Sequence, residues 1–267
     1  MCELLGMSFK EPVCAAVSLD LFQVRGQKNP DGWGLAFYRD CLLQVIKEAK
    51  PAVGSSLYDF IEGYPRSETF ISHVRRSTVG HRSYVNTHPF YRQLAIGSDM
   101  REFIFAHNGT LNDVSRLELG RFTPVGETDS ERAFCALMET IAAEEISHWD
   151  RSSYRIMESR LNEINDGSNT LNCLFSDGTR LFCYSDENRY NDGLRFTEWS
   201  HPFTTMPLVQ GDTHLGVLDV QSTNTESATG PSTSGYVIVT KALSEGDWTD
   251  FSPGQLMVFE GGSIVYS

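Results

Sequence analysis

Two helical periods enclosed between two sets of strand-like segments constrain this chain more than any other feature. From about residue 129 to 146, Ala133, Phe134, Leu137, Met138 and Ile141 recur at the i, i+3, i+4 spacing of an amphipathic helix. Thr128 and Glu131 at its start have the S/T-x-x-E spacing of a capping box. A second helix fits 153–165, with Ile156, Met157, Leu161 and Ile164 as its stripe. Before this pair, β-branched, aromatic or alternating runs predict strands at 2–7, 32–38, 42–48, 69–74 and 103–107, with Arg39-Asp40 joining two of them as a hairpin. A helix-compatible stretch around 13–22, turn chemistry over 25–32 and a helix near 55–64 fall between these strands. After Gly167, short strands are expected at 170–176, 180–184, 236–240, 255–259 and 263–266, with Asp177-Gly178 and Gly261-Gly262 as tight turns. Strands, then two helices, then strands again point to an α+β layered fold of largely antiparallel sheets, not to a βαβ alternation.

At 267 residues the chain can bury a large core, and folds with two packed sheets reach this size undivided. A single domain over 1–267 is therefore expected, with a polar surface excursion around 185–235, where 221–235 is rich in Ser, Thr and Gly and lacks periodicity. The net charge of −13 repels phosphate backbones and anionic membranes, which argues against nucleic-acid and membrane partners. No basic segment followed by an apolar run opens the chain, and no stretch approaches the ~20 apolar residues of a spanning helix. A cytoplasmic protein is expected. Its six cysteines are scattered singly without C-x-x-C pairs or zinc-ligand spacing, so most should be small buried hydrophobes and no metal is expected.

Cys2 differs from the other cysteines only by position. If Met1 is removed, one residue carries both a thiol and a terminal amine that is basic near neutral pH, a nucleophile and a general base together. The same residue also reads as a small apolar side chain opening a strand. Lipidation is set aside, because myristoylation needs glycine at this position. His107-Asn108-Gly109 ends a strand. An Asn amide and a Gly backbone N–H can converge as an oxyanion hole, although Asn-Gly is also an ordinary turn. Arg75 follows another strand and Asp129 opens the first helix. Together they could grip the carboxylate and ammonium of an amino acid, whereas separately they read as a solvated charge and a dipole-favoured acid.

Taken in order, the Met-Cys start, 73–80 (HVRRSTVG), Asn86-Thr87-His88-Pro89, His107-Asn108-Gly109 and 126–131 (GETDSE) resemble the class-II glutamine amidotransferases, an N-terminal-nucleophile hydrolase family, over roughly the first half. Ser252-Pro253-Gly254-Gln255 and the opening residues make the chain most similar to the stand-alone, YafJ-like members. The resemblance implies a four-layer αββα sandwich. It also implies a catalytic group of Cys2 as nucleophile with Asn108 and Gly109 as oxyanion donors. Arg75 would be the carboxylate clamp, Asp129 the amino-group acceptor and Thr78 a pocket residue. Arg25 would hold the N-terminus, and His73 and His88 would be supporting residues and not general bases. Departures occur at Arg76, where the family commonly has an aromatic, at Val79 in the Thr-His-Gly triplet, and across 27–33. They leave γ-glutamyl compounds other than glutamine open as donors.

The implied chemistry is hydrolysis or transfer of a γ-glutamyl amide through a thioester on Cys2, with no cofactor. The substrate is a small molecule, and because no second domain is apparent, an ammonia-using or peptidase partner protein is one destination for the product. An N-terminal-nucleophile acylase on other amides and a non-catalytic glutamine-binding subunit are the alternatives.

Overall fold

The structure, a computed structural model, describes residues 2–16, 28–40, 42–61, 66–200, 206–210, 213–222, 234–243 and 246–267. Two antiparallel sheets face one another. In the first, β1 (Glu3–Ala16) is central and pairs with β4 (Arg66–Arg75), which pairs with β2 (Gly32–Arg39), and β3 (Leu42–Glu48) closes that edge. On its other side β1 pairs with β12 (Ser234–Val239) along residues 5–9 and with β11 (Thr213–Ser222) along 13–16. Beyond β12 lie β9 (Arg195–Ser200) and β13 (Thr249–Asp250), and β10 (Met206–Gln210) pairs with β11. The second sheet runs β15 (Ser263–Tyr266), β14 (Leu256–Glu260), β8 (Arg180–Tyr184), β7 (Thr170–Ser176), β6 (Asp99–Thr110), β5 (Phe90–Ile96).

Side-chain alternation along these strands builds three apolar layers. Leu4, Ala36 and Ile71 of the first sheet meet Ile104, Ala106, Leu174 and Leu181 of the second between the sheets. Gly6 sits in this layer, and a Cβ there would lie 3.0 Å from Leu174 Cδ1 and 3.1 Å from Leu181 Cδ2. The opposite face of the first sheet packs Leu5, Met7, Trp33 and Phe37 with Tyr58 and Ile61 of α1 (Ser56–Ile61). The outer face of the second sheet packs Phe103, Phe105 and Phe175 beneath α2 (Asp129–Ala143) and α3 (Arg151–Asn165). The molecule is thus an α+β sandwich of two antiparallel sheets between helices, with α1 alone representing one outer layer among the described residues.

Thr128 caps α2 by accepting the Glu131 N–H at 3.2 Å, as the spacing predicts. Glu131 does not complete the box. Its buried carboxylate accepts from Val125 N at 3.0 Å and Gly126 N at 2.7 Å and pairs with Arg92 at 2.6 Å, so it fastens the loop before the helix. A full capping box instead opens α3, where Asp150 and Ser153 exchange bonds. Helix 129–146 ends three residues early, at Ala143.

Two expectations need correction. The helix-compatible stretch at 13–22 begins as strand, since β1 continues to Ala16, and its remainder lies outside the described residues. The surface excursion expected around 185–235 contains β9, β10 and β11, and β9 is held between β12 and β13. Leu194 and Trp199 supply its buried contacts, spaced too far apart to stand out in a polar run. The most Ser/Thr/Gly-rich part, 223–233, lies outside the described residues.

Candidate active site

Cys2 stands at the open end of β1, where Glu3 pairs with Val74 near the end of β4. Its Sγ accepts the Arg76 N–H at 3.1 Å and approaches the Arg76 carbonyl at 3.2 Å. The thiol is half-buried, and desolvation pushes its pKa up, opposed by the Arg76 N–H and the Arg75 charge. From the other sheet, the Asn108 side-chain amide donates to the Cys2 carbonyl oxygen. The Cys2 backbone and an amide donor, 106 residues apart in sequence, therefore meet across two different sheets. Gly109 follows in β6. A Cβ there would overlap the Thr170 carbonyl oxygen, so only glycine lets β6 lie this close to β7.

Thr110 and Leu111, which follow Gly109, line a cleft of about 480 Å³ together with Val79, Pro124, Gly126 and Asp129 among others, a volume in the range of small-molecule pockets. Asp129 is fixed by accepting the Leu111 N–H at 2.7 Å. The buried Arg75 guanidinium donates to Ser77 Oγ at 3.1 Å, Val79 O at 2.9 Å, Gly80 O at 3.4 Å and His81 O at 3.4 Å, so it organises the 77–81 loop at the cleft wall. Burial lowers its pKa, while Asp129 is one of the negative charges opposing that shift. Thr78 is exposed on this loop and accepts from Thr110 Oγ1 at 3.2 Å. Asp31 accepts the Ser77 N–H at 2.9 Å and so ties the described part of the divergent segment, 28–33, to the same loop.

The histidines lie deeper. His73 and His88 are buried with ring centroids 4.2 Å apart, and desolvation holds His73 near a pKa of about 3 and His88 well below the usual histidine value. His107 bridges Thr170 O at 2.9 Å through Nε2 and Ser130 Oγ at 2.8 Å through Nδ1. Because a carbonyl only accepts, Nε2 carries the hydrogen and Nδ1 accepts from the serine. Its pKa is also lowered by burial. Arg25 lies outside the described residues. Of the residues singled out in the sequence, the structure brings Asn108 and Arg75 to Cys2, and Thr78 and Asp129 to residues 110 and 111, which follow Gly109. It adds Asn191, which donates from Nδ2 to Asn108 Oδ1 at 3.0 Å. No motif marks that residue, which sits in a polar run between strands.

Known proteins match this chain over its full length. The family model for class-II glutamine amidotransferases matches residues 1–267. A protein of Methanocaldococcus jannaschii is 39% identical, covering 100% of this chain and 71% of its own. YafJ of Escherichia coli, whose name assigns it to the glutamine amidotransferases, is 31% identical over 99% of this chain and 100% of its own. The crystal structure of a Pseudomonas aeruginosa protein predicted to be a glutamine amidotransferase superposes with a TM-score of 0.72 at 28% identity, covering 100% of both chains. Glutamine phosphoribosylpyrophosphate amidotransferase of Bacillus subtilis, at 15% identity and a TM-score of 0.60 over 49% of that chain, shares the fold. With the family model spanning every residue, the chain belongs to the class-II glutamine amidotransferases.

Proposed function

We propose that this protein hydrolyses the γ-amide of glutamine or a related γ-glutamyl compound, or transfers its γ-glutamyl-derived amine, through a thioester on Cys2 once Met1 has been removed. The observation that supports this is the Asn108 amide donating to the Cys2 carbonyl, which joins the residue that would supply an oxyanion donor to the residue that would supply the thiol. Sγ attacks the γ-carbonyl carbon, and the developing oxyanion accepts from Asn108 Nδ2 and the Gly109 N–H. The α-amine of Cys2 takes the thiol proton and passes it to the leaving nitrogen as the C–N bond breaks. Water then cleaves the thioester to the free γ-carboxylic acid and restores the thiol, while the released amine goes to solvent or to its acceptor. Asp129 and Arg75 would hold the donor's α-ammonium and α-carboxylate across the cleft, with Thr78 at its rim. Arg75 would exchange part of its bonding to loop carbonyls for a carboxylate. An ammonia-using or peptidase partner would take the product, in a cytoplasmic setting.

The test combines intact mass with ammonia release. Protein beginning at Cys2 should form an adduct at Cys2 with a glutamine-like diazoketone, and Cys2→Ala should keep its melting temperature while losing turnover of γ-glutamyl amides. Residual turnover above about 1% in Cys2→Ala would remove Cys2 as the nucleophile. Full activity in wholly Met1-retaining protein would remove the α-amine as the base.

A further inference from the structure

An asparagine amide can stabilise an oxyanion only if its nitrogen faces the reacting carbonyl. Asn108 faces the Cys2 carbonyl, a pure acceptor, so Nδ2 is on that side and Oδ1 points away. That Oδ1 accepts from Asn191 Nδ2 at 3.0 Å. Asn191 sits in a short 3₁₀ turn (Tyr190–Asp192) with left-handed backbone, φ 54° and ψ 34°, between Arg189 at φ 55° and Asp192 at φ 67°. Three such non-glycine residues in four positions are costly unless the surroundings hold them. The surroundings do so: fully buried Asp186 accepts the N–H groups of Asn188 and Tyr190 at 2.9 Å each. Asn172, the β7 residue paired with Asn108, donates to Tyr190 O at 2.9 Å and accepts from Asp186 N at 2.9 Å.

We infer that Asn191 is a positioning residue for the reaction: it fixes the Asn108 amide with its nitrogen toward the γ-carbonyl, and the Asp186–Asn172 bonds hold the strained turn that presents it. This rests on the proposed oxyanion role of Asn108. Without Asn191, only the bond to the Cys2 carbonyl opposes turning the amide over, and an amide that turns presents oxygen, which would repel the developing charge.

A double-mutant cycle with glutamine and a γ-glutamyl anilide as substrates tests the idea. Asn108→Ala alone should lower kcat roughly 10²–10³-fold. Asn191→Ala should lower kcat about ten-fold with KM little changed, and should cost nothing further in the Asn108→Ala background, because its only route to the reaction has gone. Asn191→Asp, which tolerates the left-handed backbone but cannot donate, should lose at least as much as Asn191→Ala, and it serves if the alanine variant fails to fold. Independent, multiplying losses, a rise in KM alone, or Asn191→Asp at wild-type kcat would overturn the inference while leaving the Cys2 mechanism standing. Wild-type kcat in Asn108→Ala, or no wild-type turnover of either substrate, would instead remove the underlying reading and the inference with it.

Discussion

Asp129 lines the cleft and Arg75 anchors Val79 of its wall, and each is bonded to backbone. In the proposed reaction, a donor would therefore meet side chains whose positions the fold has already set. Arg75→Lys should lower kcat/KM for a free γ-glutamyl amide and loosen the 77–81 loop, since an ammonium cannot reproduce a planar fork over several carbonyls. Asp129→Asn should lower kcat/KM for the same substrate and leave substrates with a blocked α-amine unaffected. Initial rates on the paired substrates decide this, and equal losses on both would make Asp129 a purely structural ligand of Leu111. At this scale the sequence was most informative about residues whose chemistry is local: Cys2 by position, and Asn108-Gly109 by adjacency. It was silent on Asn191, because what selects that residue is a left-handed turn anchored by Asp186 and Asn172, and these meet only through tertiary pairing.

Among the elements, α2 does two things at its N-terminus: it presents Asp129, and through Glu131 it fastens residues 125 and 126 at the cleft wall. Thr128→Ala should lower stability by about 1 kcal/mol through the lost cap, and should raise KM more than it changes kcat as Asp129 shifts. Chemical denaturation with steady-state kinetics measures both, and an unchanged KM would separate the cap from the cleft. Helices with a full apolar stripe and strands with β-branched or alternating runs were legible, and 170–176, 180–184 and 263–266 match β7, β8 and β15 residue for residue. β5 was not seen. It reads Phe-Tyr-Arg-Gln-Leu-Ala-Ile at the edge of its sheet and buries only Phe90 and Leu94, four residues apart, so no alternation declares it. β9 to β11 escaped for a related reason: strands added at the side of a sheet need backbone partners more than apolar side chains, and pairing partners are set by topology.

For the whole molecule, three buried histidines make stability depend on pH in a defined direction. Desolvation depresses His73 to about 3 and His88 well below its usual value, and it lowers His107. The unfolded chain, with histidine at about 6.5, binds more protons than the folded one once the pH drops through that value. The stability these neutral rings contribute is complete above about pH 6.5 and is lost progressively as the pH falls toward the folded values. Urea titrations should show unfolding free energy falling between pH 6.5 and 5 by up to about 1.4 kcal/mol per pH unit for each such histidine. Constant stability across that interval would mean that the rings are solvated in the native protein. No helix among the described residues is long and apolar enough to cross a membrane.

Because Cys2 comes from one sheet and Asn108 from the other, the thickness of the layer between them would act as a ruler for the proposed reaction. Gly6, touching neither residue, is one of its graduations, lying under Leu174 and Leu181 where any added carbon must be accommodated by moving the sheets or the leucines. Gly6→Val should thicken that spacing at a cost of about 1–3 kcal/mol and lower kcat although every residue at the cleft is intact. A kcat that stays level while the melting temperature drops would show that the leucines absorb the carbon and the gauge is unmoved. If kcat falls, turnover becomes a readout of how closely two sheets are held, and the interior of the sandwich joins the set of places where activity can be tuned.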